Sequence, residues 1–485
     1  MRILLTTSYQ LQLDPQQMAI LEPYPPLGTL YAAACLRARG HQVALSDPML
    51  ARGHAEYEAD LERFRPDLVA IYEDNFNYLS KMCLTNMRKA AFEKTAMARA
   101  RGARVVVNGS DASDHLEAYF AAGVDFAILG EGERTVEELA RALTQSVPEL
   151  ALAGIEGLAY RGGSSGLLRN RPREFIRDLD ELPFPAWDLV DVARYRKAWL
   201  ERHDYFSINL VTTRGCPYHC NWCAKPIYGQ RYNLRSPENV AQELAWLKKT
   251  VGPDQVWFAD DIFGLRPGWV ERFAEAVAAL GCTTSYKIQA RVDLLQPSVV
   301  DALARSGCES VWVGAESGSQ KILEAMEKGT TVEQIRQATE RLRSRGIRVC
   351  FFLQFGYPGE GWREIQQTRR LVRQCRPDDI GISVSYPLPG TKFYDRVGAE
   401  LGDKTNWAHS KDFDLMFRGT FRPDFYRVLY RVVHHEFRLR KELRRLPRPK
   451  SLLRLVWNAA AWLAFRFRLT RLSRQPNPSL ALPAL

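Results

Sequence analysis

The sequence predicts an α/β protein: an open parallel sheet first, a partial barrel of parallel strands second, and a helical C-terminal region last. Two observations predict the sheets. Short apolar strands alternate with helical patterns through most of the chain, and glycine stands at several strand ends. A third sets the number of units, since 485 residues are too many for one ordinary core. A content of 46% hydrophobic and 25% charged residues is that of a globular protein, and it excludes a disordered, collagenous or disulfide-dense chain. No segment recurs at a solenoid period.

Arg2–Thr7 reads as the first strand. A loop with Pro23-Tyr24-Pro25-Pro26-Leu27-Gly28 follows, then an Ala/Leu-rich helix to about Arg39 that Gly40 ends. Val43–Ser46, Asp67–Tyr72, Arg104–Asn108 and Phe126–Leu129 read as four further strands. Ala55–Arg63, Lys81–Arg101 and Val136–Leu143 carry helical patterns. Sheets of this kind bind ligands at the carboxyl ends of their strands. This domain is placed at residues 1–145. Residues 146–203, with Gly162-Gly163-Ser164-Ser165-Gly166 and Leu182-Pro183-Phe184-Pro185, read as a linker: a small hairpin, then extended chain.

From Phe206 the alternation resumes. Ser207–Thr212, Gln255–Ala259, Ser285–Gln289, Ser310–Gly314, Val349–Phe355 and Asp379–Ser385 are the candidate strands. Ser236–Lys249, Gly268–Leu280, Pro297–Ser306 and Thr331–Arg345 are helices between them. Six such units predict a barrel or partial barrel over residues 204–400, with active residues at the C-terminal strand ends. Residues 401–446 read as a helical cap and 447–485 as a basic amphipathic tail.

The net charge of +11 belongs to that end of the chain. Between Tyr430 and Arg474 there are 13 Lys and Arg against 2 Asp and Glu, which is the whole excess. The body is neutral, so nothing in it supports nucleic-acid binding. The 9 cysteines are odd in number, and Met1-Arg-Ile-Leu-Leu starts as a strand rather than as a secretory leader. A reducing cytoplasm without structural disulfides is expected. No apolar run reaches the ~18 residues of a membrane span.

Three cysteines cluster in Thr212-Thr213-Arg214-Gly215-Cys216-Pro217-Tyr218-His219-Cys220-Asn221-Trp222-Cys223, directly after the first strand of the second domain. Thiolates so spaced can hold three irons of a cubane and leave the fourth open for a substrate or cofactor. A structural zinc site would need a fourth Cys or His at finger-like spacing, and His219 is the conceivable one. The six scattered cysteines read as core thiols.

Cys216-x-x-x-Cys220-x-Trp222-Cys223 resembles the signature of radical S-adenosylmethionine (SAM) enzymes. Further motifs resemble that family in order, each at a predicted strand end. They are Gln255-Val-Trp-Phe-Ala-Asp260-Asp261, Gln289-Ala-Arg291-Val-Asp293, Gly314-Ala-Glu316-Ser317-Gly318, Phe355-Gly356-Tyr-Pro358-Gly359-Glu360 and Tyr386-Pro387-Leu-Pro389-Gly390. Outside the barrel, Pro25-Pro26-Leu27-Gly28, Asn108-Gly109-Ser110 and Gly130-Glu131-Gly132-Glu133 resemble a cobalamin-binding domain. The segment Asp178–Trp187 is similar to the linker of the same class, and Trp407–His435 resembles, more weakly, the tail of its porphyrin-directed and methylating members. The class includes radical SAM methyltransferases and anaerobic magnesium-porphyrin cyclases.

The resemblance implies a Rossmann-like cobalamin-binding domain, a partial (β/α)6 barrel and a helical C-terminal region. It implies that Cys216, Cys220 and Cys223 hold a 4Fe-4S cluster whose open iron binds SAM. Reductive cleavage of SAM would release a 5′-deoxyadenosyl radical. Asp260 or Asp261 would accept from the ammonium of SAM, Glu316 and Ser317 would meet its amino-acid or ribose part, and Arg291 would pair with its carboxylate. Gly356 would permit close backbone approach. Pro26, Gly28, Gly109, Ser110, Gly130 and Glu131 would line the cobalamin site. The competing reading is structural, because acidic residues at strand ends can simply cap the next helix.

No Asp-x-His-x-x-Gly is present, so no histidine is nominated for cobalt; His41 and His115 lie outside such a motif. Tyr72-Glu-Asp-Asn-Phe-Asn-Tyr-Leu-Ser-Lys-Met-Cys83 is bulkier than the Gly/Ser-rich loop the family implies. It either fills part of the lower cobalamin face or marks a purely structural domain. The implied reaction is methylation of an unactivated carbon in a small-molecule or lipid-like substrate, with an external one-electron reductant such as flavodoxin or ferredoxin. A cyclisation or rearrangement is the alternative, and a non-enzymatic cobalamin or metal sensor the third reading.

In the tail, Asp412–Arg445 is rich in aromatics and reads as one or two helices capping the barrel mouth, with Pro423 breaking the stretch near its start. Leu452–Leu472 mixes Trp457, Trp462, Phe465 and Phe467 with Arg454, Arg466, Arg468 and Arg471. Such a helix suits peripheral contact with an anionic membrane, or docking on the body or a partner. A cytoplasmic protein, membrane-associated if the tail is so engaged, is the expected location. Gln475-Pro-Asn-Pro-Ser reads as disordered.

Overall fold

The computed structural model describes the chain except residues 78–81, 83, 146–150, 163–165, 403–405, 409–412, 414, 444–448 and 476–485. Lys81, Cys83, Gly163, Asp412, Arg445, Pro447 and the segment after Gln475 therefore lie outside the described residues. The chain divides into two compact units. One holds Met1–Tyr218, Lys225–Ile288 and Asn406–Lys411; the other holds His219–Ala224, Gln289–Thr405 and Asp412–Leu485.

In the first unit, β1 (Arg2–Thr6), β2 (Gln42–Ser46), β3 (Leu68–Tyr72), β4 (Arg104–Asn108), β5 (Phe126–Ile128), β6 (Leu158–Arg161) and β7 (Leu167–Arg169) form one sheet in the order β2-β1-β3-β4-β5-β6-β7. Pairings through β5 are parallel, and those of β6 and β7 are antiparallel. Every residue of β3 is buried, as a strand covered on both faces requires. Alternate side chains serve the two faces: Ile3, Leu5, Leu68 and Val106 join one apolar cluster, and Leu4, Val69, Val105 and Val107 the other. The helices α1 (Leu27–Ala38), α2 (Thr85–Ala100) and α3 (Glu133–Ala142) follow β1, β3 and β5.

The hairpin read in residues 146–203 is β6–β7, and it extends the first sheet past residue 145. The remainder of that segment is not all extended. α4 (Val192–Arg202) starts where Asp191 accepts the Arg194 N–H. Its Trp199 is fully buried and donates from Nε1 to the Pro23 carbonyl.

A second sheet carries six strands: β8 (Ser207–Leu210), β11 (Gln255–Phe258), β12 (Ser285–Ala290), β13 (Cys308–Glu316), β14 (Arg348–Phe355) and β15 (Asp379–Val384), in the order β15-β14-β13-β12-β11-β8. The strands are parallel and form a half-barrel. A short antiparallel pair, β9 (Thr213–Arg214) with β10 (Asn233–Leu234), lies beside β8 in sequence. Helix starts follow their caps. α5 (Pro237–Thr250) opens with Ser236 and Pro237, and α6 (Val332–Ser344) with a Thr331/Gln334 capping box.

The second unit also contains α7 (Trp362–Cys375), α8 (Pro423–Leu443) and α9 (Pro449–Ser473). Pro423 is the first residue of α8 rather than a break inside a helix, the position where its missing N–H costs nothing. Arg369 of α7 is paired with Glu436 of α8, both buried. α9 lies against α8: His435 stacks on Phe465 and bonds Asn458, and Arg431 stands over the Phe465 ring. Among the described residues no helix is long and apolar enough to cross a membrane.

Candidate functional site

At the strand ends of the first sheet, the loop after β3 lies across the loops after β1 and β4. The Gly28 N–H donates to Asp74 Oδ1 at 3.1 Å. Asn75 donates to Asn108 Oδ1 at 2.7 Å, and Asn108 reaches the carbonyls of Ile128 and Gly130, tying the ends of β4 and β5. Gly109 has φ 152°, and a Cβ there would stand 2.8 Å from Glu73 Cγ. Gly109 therefore makes room for Glu73. Pro26 and Ser110 are buried beside them, Pro26 at the start of α1 and Ser110 at the start of a short turn of helix.

Glu73 lines a small cleft with Ser8, Arg88, Asn108, Asp111 and Tyr119. Its carboxylate accepts the Ser8 N–H, and burial pushes its pKa up to about 7. Nearby Lys94 is fully buried, and burial pushes its pKa down to about 7. Its ammonium donates to Thr6 Oγ1 and the Thr7 carbonyl.

Glu131 already has a partner. Its carboxylate and that of Glu133 both hold Arg214, with Glu133 at 2.7 Å, and all three side chains are buried. The other Glu131 oxygen accepts the Ile176 N–H. The rings of Tyr31, Phe76 and Tyr228 surround the guanidinium. Arg214 stands two residues before Cys216 and is missing from the sequence-derived site. Its only signal is a basic residue leading into the cysteines and two glutamates two positions apart.

The two aspartates after β11 separate in role. Asp260 is buried, accepts the N–H groups of Thr212 and Thr213 at 2.7 and 3.0 Å and the Thr212 hydroxyl at 2.6 Å, and burial raises its pKa to about 6. It fastens the backbone just ahead of the cysteines. Asp261, the next residue, is exposed. Gly215 has φ 78°, and a Cβ there would stand 2.6 Å from the Arg231 carbonyl, so no larger residue fits.

In the second unit, Asn221 anchors the cysteine loop by four bonds. Its N–H and side-chain amide donate to the carbonyls of Met326 and Ala325, its carbonyl accepts the Phe393 N–H, and its Oδ1 accepts the Tyr357 hydroxyl. Cys216 in the first unit, and Cys220 and Cys223 in the second, are each half-buried. Arg291 chelates Asp293, donates to the Lys328 carbonyl at 2.8 Å, and has Nη1 4.0 Å from Cys220 Sγ. Glu316 is paired with Lys328 at 2.8 Å in a buried bridge; its backbone has φ 53°, beside the register shift in β13. Lys328 Nζ stands 5.8 Å from the centre of the Trp222 ring.

Ser317 and Gly356 are engaged in packing. The Ser317 hydroxyl meets Thr368 of α7 at 3.1 Å and accepts the Ser319 N–H. Gly356 has φ 84°, and a Cβ there would stand 2.9 Å from Leu415. Its N–H donates to Glu360, whose fully buried carboxyl is pushed up to about 8 by burial. Gly130, with φ 84°, has no atom nearer than 3.8 Å to a Cβ position.

Among the described residues no three His, Cys, Asp or Glu side chains stand in a ready-made metal geometry. The three cysteines fit a soft metal cluster in their donors.

A model of the B12 binding domain matches residues 19–140, and one of the Radical SAM superfamily matches residues 210–372. The chain carries a B12 binding domain and a radical SAM domain. The radical SAM match begins at the end of β8 and takes in the three cysteines, Asp260, Asp261, Arg291, Glu316, Ser317 and Gly356. The B12 match takes in Pro26, Gly28, Gly109, Ser110, Gly130 and Glu131.

The chain is 27% identical to an uncharacterized methyltransferase of Pyrococcus horikoshii, over 86% of this chain and 89% of that protein. It is 26% identical to an anaerobic magnesium-protoporphyrin IX monomethyl ester cyclase of Synechocystis, over 69% of this chain and 64% of the cyclase. Its fold is that of the radical SAM methyltransferase TsrM of Kitasatospora setae, solved with cobalamin and a [4Fe-4S] cluster. The TM-score is 0.68 at 19% identity, covering 82% of this chain and 78% of TsrM. The same holds for OxsB, a cobalamin-dependent SAM radical enzyme solved with aqua-cobalamin and SAM bound. There the TM-score is 0.73 at 16% identity, covering 96% of this chain and 72% of OxsB.

Proposed function

We propose that this chain is a cobalamin-dependent radical SAM enzyme that methylates an unactivated carbon of a small-molecule or lipid-like substrate. One observation carries the reading. A B12 binding domain and a three-cysteine radical SAM domain occur in one chain, and a relative named as a methyltransferase runs along most of its length.

Cys216, Cys220 and Cys223 would hold the 4Fe-4S cluster and leave one iron for SAM. The loops at Pro26, Gly28, Gly109, Ser110 and Gly130 would receive cobalamin. When bound, these groups supply hydrogen abstraction from carbon and a methyl group to place on it.

The chain's own residues position this chemistry. Asp260 and Arg214 fix the approach to Cys216, and Asn221 fixes the loop between Cys220 and Cys223. Arg291 keeps a cation beside Cys220. Asp261 would accept from the SAM ammonium, while Glu316, Ser317 and Arg291 act on SAM only to the extent that their present partners release them. The reductant would be an external one-electron carrier such as flavodoxin or ferredoxin, and the setting the cytoplasm.

The test is anaerobic reconstitution with iron and sulfide, then dithionite and SAM. Formation of 5′-deoxyadenosine, with label from methyl-labelled SAM in the product, is the expected result. 5′-Deoxyadenosine without label transfer favours the cyclase reading, for which the Synechocystis relative is the support. An intact cluster that cleaves no SAM defeats both.

A further inference from the structure

α9 buries one side and leaves the other bare. Asn458 and Leu469 are buried and Phe465 is stacked, all on the side that meets α8. The opposite side carries Val456, Trp457, Leu463 and Phe467, which are 62%, 70%, 47% and 77% exposed. Exposed Ala460 and Ala464 lie between them. The spacing of three and four residues places Val456, Ala460, Leu463 and Phe467 in one stripe, with Trp457 and Ala464 alongside.

Single exposed apolar residues are ordinary, but a contiguous stripe is not. These four are among only ten large hydrophobic side chains exposed in the described chain. Charge identifies the occupant. From Pro449 to Arg474 there is no Asp or Glu, and Lys450, Arg454, Arg466, Arg468, Arg471 and Arg474 supply six positive charges. Arg466, Arg468, Arg471 and Arg474 are exposed. A second copy of this helix would bring like charges together. An apolar layer under an anionic one answers both features, with the ring of Trp457 suited to the boundary.

We propose that α9 lies in the plane of an anionic lipid surface, with Phe467 among the acyl chains, Trp457 at their boundary and Arg466, Arg468, Arg471 and Arg474 at the phosphates. This proposal stands independently of the reaction assigned above. Flotation of the full chain tests it, using phosphatidylcholine vesicles with and without about one-third phosphatidylglycerol. The chain is expected to float with the anionic vesicles roughly tenfold more than with the neutral ones, and to be released by high salt. Brominated acyl chains are expected to quench its tryptophan fluorescence, and Trp457→Ser/Phe467→Ser to abolish flotation with an unchanged melting curve. Equal partition to both vesicles overturns the proposal, as does absence of quenching. Self-association that the same double substitution abolishes, without flotation, overturns it in favour of a dimer face.

Discussion

Arg214 shows what one buried charge does for the site. Two glutamates and one guanidinium share a pocket closed by three aromatic rings. Removing the cation leaves two carboxylates facing each other out of water. Arg214→Ala should cost about 3–5 kcal/mol and lower the iron bound per chain after reconstitution; Arg214→Lys should recover only part, since it lacks the fork. Thermal melting and iron analysis check both.

Glu360 gives the opposite sign. Its folded pKa of about 8 lies well above the ordinary carboxylate value, so the folded state holds the extra proton. Stability from this group therefore falls as pH rises from about 4.5 to 8 and levels off above. Glu360→Gln should melt higher than the parent at pH 8, by a few degrees, and no higher near pH 4. Melting across that pH range reads the difference. Cysteines and strand-end glycines announce themselves in sequence by type and spacing. Arg214, Asn221 and Lys328 do not, because their role lies in partners 83, 104 and 12 residues away.

At the level of elements, strands buried on both faces were legible because they are unbroken apolar runs. Helices with Ser or Thr caps were legible because the cap and the pattern agree. α4 was not, since its Val-Ala-Arg-Tyr-Arg-Lys-Ala-Trp run mixes charge with rings and only Asp191 marks its start. The edge hairpin β6–β7 was found, but its attachment to the sheet depends on pairing with β5, which no local pattern encodes.

The loop after β3 was recognised as bulky, and packing shows how that bulk is used. Gly109→Ala would place a Cβ 2.8 Å from Glu73 Cγ on a backbone suited to glycine. A loss of about 1–3 kcal/mol is expected. Adding Glu73→Ala should return part of it, because the 2.8 Å contact with Cγ goes, while a 3.1 Å approach to the residue 73 Cβ and the backbone strain remain. Denaturant unfolding of the four proteins in the cycle measures the coupling.

The whole molecule is two charge regimes. Residues 447–485 hold seven Lys and Arg and no acid, so a chain ending at Leu446 drops from +11 to +4. It should leave a cation exchanger at distinctly lower salt than the full chain. Fold class and the order of strands were readable at this scale because alternation is a global pattern. The identity of the substrate was not, since no motif in the chain encodes it.

The Arg214 pocket also bears on how the protein is made. Glu131 leaves the ribosome 83 residues before Arg214. Synthesis from the N-terminus therefore makes both acceptor carboxylates before the guanidinium they hold, and the first domain can form ahead of the cysteine segment. In that order of synthesis the first domain would be the template on which the segment leading into the cysteines is laid.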